Sequence, residues 1–94
     1  MKLIMVIFDA DKEEIIHEIL LSSGVEGFTI WGPVFGKGAH TDPRMGTQVW
    51  PGENQALITV VSEGTAVNLK NAIANHPGVK TGVKVFELET NTWL

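Results

Sequence analysis

The sequence predicts an α+β domain with the element order β-α-β-β-α-β. Three observations carry this. Apolar runs of strand length open each half of the chain, at "KLIMVIF" and "QALITVV". Each run is followed by a stretch with apolar residues at helical spacing and then by a second strand pattern. A long connection, "VFGKGAHTDPRMGTQVWPGEN", separates the two halves.

The elements follow in order. "KLIMVIF" is short, rich in β-branched residues, and suits a strand buried on both faces. In "DADKEEIIHEILLSSG", Asp11 with Glu14 three residues later fits a capping box. Ile15, Ile16, Ile19 and Leu20 recur at helical spacing and form one apolar stripe. Ser22, Ser23 and Gly24 end that helix, glycine being favoured just past a helix C-terminus. "VEGFTIW" reads as the second strand and "QALITVV" as the third. "SEGTAVNLKNAIANHPG" is a second helix with Ala66, Leu69, Ala72 and Ile73 on one side, stopped by Asn75, His76, Pro77 and Gly78. The last strand, "TGVKVFELE", sets Val83, Val85 and Leu88 against Lys84, Glu87 and Glu89, with Phe86 off the pattern.

Two βαβ-like halves joined this way predict the ferredoxin-like fold, a four-stranded antiparallel sheet with both helices on one face. The other face would carry apolar side chains with no helix over them, and a large exposed apolar surface marks an interface. A homo-oligomer packed through its sheets is therefore expected.

Composition bounds the functional classes. A chain of 94 residues reads as one domain, 1–94, with 44% hydrophobic and 19% charged residues. The formal net charge of −4 argues against a nucleic-acid partner, which would need a basic stripe. With no cysteine there is no disulfide framework, thiol nucleophile or paired-cysteine metal site. No run approaches the ~18 apolar residues of a membrane span, and the expected location is cytoplasmic. Among ferredoxin-like proteins, an RNA-recognition module would need stacking aromatics on "ALITVV", which has none. An acylphosphatase-like enzyme would need an arginine after the first strand, where this chain has the acidic "FDADKEE". No catalytic constellation emerges, and the chain is not read as an enzyme.

The connection at about 34–54 is long for a compact domain, where such loops are functional or disordered. It holds the only arginine, Arg44, together with His40, four glycines and two prolines. Gly36, Lys37 and Gly38 offer backbone N–H groups and an ammonium to an anion. Arg44 suits a carboxylate or phosphate, or else pairs with Asp42 or Glu53. His40 and Asp42 are plausible ligands for a divalent metal. Trp31 and Trp50 flank the loop and could meet across it if the flanking strands pair, although tryptophan ordinarily serves as packing and interface area.

The segment "SSGVEGFTIWGPVFGKGAHTD" resembles the PII signal-transduction family, the nitrogen regulatory protein superfamily, and its shorter PII-like relatives. In that family a helix ends in a "GV-x-G-[MF]-T" stretch, and the next strand leads through "GFG-x-x-K-G-H-T" into a long T-loop. Gly24 to Thr29 match the first part, and Phe35 to Thr41 match the second with about one residue deleted. The resemblance implies a homotrimer with effector sites in clefts between subunits. It also implies a shortened T-loop at 34–54 that docks on a membrane transporter or an enzyme. Ligand contacts are implied at Gly36, Lys37, Gly38 and His40, with Arg44 as a further contact. An adenine nucleotide is the family's ligand. Here the glutamine before the T-loop lysine is missing, the phosphate-binding loop is reduced to "HPGVKTGVK", and the C-terminal arginines are absent. The loop has no tyrosine to be uridylylated. Trimers of the CutA type share the topology, and a CutA-like divalent-metal-binding tolerance protein, with His40 and Asp42 as ligands, is the alternative function.

Overall fold

A computed structural model describes residues 1–94. Its elements are β1 (Lys2–Asp9), α1 (Glu13–Ser22), β2 (Thr29–Val34), β3 (Asn54–Val61), α2 (Glu63–Asn75) and β4 (Val83–Glu89). Short 3-10 turns at Ala10–Lys12 and Pro77–Val79 lead into α1 and out of α2. All four strands form one antiparallel sheet in the order β2-β3-β1-β4. The expected ferredoxin-like α+β fold is what the chain adopts. No helix is long and apolar enough to cross a membrane.

The period of two along a strand sorts the side chains between the faces. Ile4, Val6 and Phe8 of β1 stand opposite Thr59, Leu57 and Gln55 of β3. Ile4, Val6, Phe8, Leu57 and Val61 pack with Ile16, Ile19 and Leu20 of α1 and with Ala66 and Leu69 of α2 into one core. The helical stripes read from spacing are therefore the buried ones. The alternate residues Leu3, Met5 and Ile7 are only half-buried. β1 is thus covered on one face only within a single chain. The other face of the sheet is apolar and open: Phe86 is 50% exposed, Leu88 63%, Trp31 45% and Val60 41%.

The register corrects the reading of β4. Val83, Val85, Glu87 and Glu89 pair with Phe8, Val6, Ile4 and Lys2, whereas Phe86 and Leu88 pair with Met5 and Leu3. Phe86 is therefore in pattern, on the open face with Leu88. The core side of the strand turns polar towards its end, at Glu87 and Glu89, with Glu87 bordering an open cavity beside α2.

The start of α1 is corrected as well. Asp9, not Asp11, is the capping side chain: its Oδ1 accepts from the Asp11 N–H at 3.0 Å and fixes the 3-10 turn. Lys12 then precedes α1 with no side-chain cap. At the far end, the buried Ser23 donates its hydroxyl to the Ile19 carbonyl at 2.7 Å. Gly24 follows with φ +83°, the left-handed conformation that glycine adopts without strain. The second strand begins later than expected, at Thr29. The stretch before it is held by Thr59, whose hydroxyl donates to the Gly27 carbonyl at 2.6 Å.

α2 begins at a conventional cap. Ser62 Oγ accepts from the Thr65 N–H at 3.2 Å. Ser62→Ala is expected to lower the unfolding free energy by ~1 kcal/mol, the usual cost of such a cap. Urea unfolding checks this, and an unchanged midpoint would remove the cap's role. Near the start of β1, Lys2 pairs with Glu89 at 2.7 Å. Hydrogen bonds from Lys2 and from the Met1 amino group hold the Glu89 carboxyl below its ordinary range. Glu89 is mostly exposed and Lys2 half-buried, and a pair at the surface of this kind adds little stability.

Candidate functional site at the base of the long loop

The loop between β2 and β3 is built by its own hydrogen bonds. Gly36 and Arg44 form an antiparallel bridge, with N–H to O distances of 2.9 and 2.7 Å. Between them, the Gly38 N–H donates to Thr41 Oγ1 at 3.0 Å. A tight turn lies beyond Arg44: Met45 and Thr47 both donate to the Trp50 carbonyl, and Gly46 donates to the Gly52 carbonyl at 3.0 Å. Gly46 has φ +66°, and a Cβ there would stand 2.7 Å from the Phe35 ring. Only glycine meets both conditions.

Arg44 fastens this loop to the sheet. Its Nη1 donates to Asp9 Oδ2 and, at 3.5 Å, to Asn54 Oδ1. Asp9 closes β1 and Asn54 opens β3, and the two are opposite each other in the ladder. The Asp9 N–H donates to the Gly82 carbonyl at 2.8 Å, and the Ala10 N–H to the Glu53 carbonyl at 3.1 Å. Lys12 Nζ reaches the Gly78 carbonyl at 2.8 Å. Gly82 has φ +76°, and a Cβ on it would lie 3.3 Å from Asp9 Cβ and 4.0 Å from Arg44 Nη1. The long loop, the entrance to α1 and the connection from α2 to β4 thus converge on the end of β1.

An open groove of about 650 Å³ lies beside this junction, lined among others by Asp9, His40, Asp42, Arg44 and Trp50. His40, Asp42 and Arg44 are therefore brought together. Gly36, Lys37 and Gly38 lie on the adjoining arm and do not line the groove, and Lys37 Nζ is turned onto the Gly38 carbonyl at 3.0 Å. Arg44 pairs with Asp9 rather than with Asp42 or Glu53. Trp31 and Trp50 do not meet across the strands. Trp31 stands opposite Ala56 on the open sheet face, and Trp50 belongs to the loop's outer turn.

The histidines are dispersed. His17 packs edge-on against Phe28, and His76 Nδ1 accepts from the Gly78 N–H at 2.9 Å. No third His, Cys, Asp or Glu joins His40 and Asp42 into a possible metal-holding group, whereas tightly held zinc takes three or four protein ligands. Asp9, Asn54 and Gly82 are the residues of this junction that the sequence did not point to. Gln55, next to Asn54, is another: its Oε1 is buried without a partner. Its Cγ occupies the space left by Gly32, where a Cβ would stand 2.9 Å away.

A family model for nitrogen regulatory protein P-II matches residues 1–92. The chain belongs to the P-II family. Solved structures agree in fold. A P-II-like protein from Thiomonas intermedia K12, described as bound to ADP and bicarbonate, superposes with a TM-score of 0.72 at 24% identity, covering 93% of this chain and 84% of that one. A PII-like signalling protein from Thermus thermophilus gives 0.70 at 24% identity, with 93% and 83% covered. The ligand-free form of the Thiomonas protein gives 0.66 at 21%, with 93% and 87% covered. No curated protein sequence matches the chain. P-II proteins are signalling regulators, and that coarse role extends to this member. In this P-II chain the stretch that carried the resemblance, Gly24 to Thr41, runs from the end of α1 along β2 to the first arm of the loop.

Proposed function

We propose that this P-II chain is a homotrimeric regulator that binds a small effector in the clefts between subunits and signals through its long loop, the T-loop, to a transporter or an enzyme. The observation that carries the reading is the convergence of the loop base, the end of β1 and the connection before β4 around Asp9 and Arg44. A ligand contacting any of the three segments at that junction would also be felt by the other two. The open apolar sheet face supports assembly, because a face of that kind must be covered. Effector contacts fall on Gly36, Lys37, Gly38 and His40, with Arg44 as a further contact. ADP, AMP, bicarbonate and acetate are the first ligands to test, since Thiomonas structures of this fold carry them.

A thermal-shift screen with those four ligands and divalent metals, run beside sedimentation equilibrium, tests the reading. A trimer and a rise in melting temperature with one of the anions are expected, because a ligand bound only by the native state stabilises it. For an anion, Lys37→Ala should weaken binding by ~1–3 kcal/mol, the range for a charged hydrogen bond. A metal effector would instead be abolished by His40→Ala and indifferent to Lys37→Ala. A monomer at micromolar concentration, or affinity unchanged in both variants, would defeat the proposal.

A further inference from the structure

We infer that the Asp9–Arg44 ion pair is an internal competitor for an anionic effector: a carboxylate-, bicarbonate- or phosphate-type group takes Arg44 from Asp9 and thereby frees the long loop from the sheet. This rests on the effector-sensing role proposed above and specifies how the site is regulated.

The hydrogen bonding of the pair carries the inference. A guanidinium has five N–H donors in a fork that matches two oxygens at once. Asp9 uses only one oxygen, Oδ2, on one nitrogen, Nη1, while its Oδ1 accepts from the Asp11 N–H. Asn54 accepts from the same Nη1 at 3.5 Å. Nε and Nη2 of Arg44 have no partner, and the guanidinium lines an open groove. An incoming two-oxygen anion can take the free Nε–Nη2 edge with two bonds against Asp9's one, and its negative charge beside the Asp9 carboxylate turns the guanidinium from the one to the other.

The exchange has a mechanical consequence. Arg44 is the loop's one side chain that hydrogen-bonds to the rest of the protein; the other side-chain bonds of the loop are internal, at Lys37, Thr41 and Thr47. Asp9 is fixed by its ladder position and by Gly82. Arg44 is therefore the partner that moves, and the Gly36–Arg44 bridge, no longer anchored to the sheet, opens more readily. Anion binding and loop docking then oppose each other, which makes the anion a loop-releasing ligand.

Asp9→Asn tests this while keeping the turn, since asparagine caps as well as aspartate does. Bicarbonate and ADP serve as separate probes of a small anion and a phosphate. By calorimetry, Asp9→Asn is expected to bind whichever probe acts about tenfold more tightly than the native chain, because Arg44 is no longer occupied. In the native chain, saturation with that probe should speed hydrogen exchange at the Gly36 and Arg44 amides. Arg44→Lys keeps a charge without the fork and should cancel the gain when combined with Asp9→Asn. Equal affinity in the native chain and Asp9→Asn, or slower loop exchange on binding, overturns the exchange mechanism and leaves the effector site standing. Absence of binding to every variant removes both.

Discussion

Phe86→Glu is expected to yield a folded monomer. Phe86 is half exposed in the single chain and sits with Met5, Leu3 and Leu88 on the sheet face that no helix covers. The fold therefore loses little when the ring is replaced. The assembled face loses much, because a carboxylate there would be taken out of water among Leu3, Met5 and Leu88. Burying an unpaired charge costs several kcal/mol, and ~3–5 kcal/mol per interface is enough to shift a micromolar oligomer to monomer. Sedimentation velocity with far-UV circular dichroism reads both halves of the expectation. A trimer that persists with Phe86→Glu would mean that this face is not the interface.

Phe8→Ala is expected to come close to unfolding the protein. Phe8 has no exposed surface and lies at the end of β1 inside the single core. Removing a fully buried ring costs ~3–5 kcal/mol, with part of that from the cavity left behind. A chain of this length has a total stability of about 5–14 kcal/mol, so one substitution removes a large share. Urea unfolding at fixed protein concentration checks it, concentration being held because assembly adds to apparent stability. A loss below ~1 kcal/mol would contradict the packing described. Failure at Phe8 would concern the core, and failure at Phe86 the outer face of the same sheet.

These two residues also mark what was legible in the sequence. The order of elements and the buried stripes of both helices were readable because the apolar spacing is local. Ile16, Ile19, Leu20, Ala66 and Leu69 are buried as the pattern requires. Phe86 was misplaced because "VKVFELE" carries two apolar sets of opposite parity, and only pairing with Met5 decides between them. Asp9 and Asp11 are both good caps, and the choice depends on where β1 stops. The site was legible in part. His40, Asp42 and Arg44 stand within five residues of one another, and their loop was conspicuous. The partner of Arg44 was not legible, since Asp9 lies 35 residues away and meets it only after β1 and β3 pair. Gly82 and Gln55 gave no sequence signal, because each matters through what lies beside it in space.

The two outer strands of the sheet have a consequence for how copies of this chain can associate. An outer strand offers unpaired N–H and C=O groups, and a flat, uncharged one invites endless strand addition. β2 is interrupted by an irregularity between Trp31 and Val34, and Pro33 within it has no N–H to offer. β4 carries Lys84, Glu87 and Glu89 along its length. Neither rim is a template for a further strand, although the broad face between them is apolar and open. Under the trimer proposed above, copies stack through that face in a small closed ring and do not grow laterally into fibres. A crowded solution of this protein should therefore hold discrete particles of fixed size.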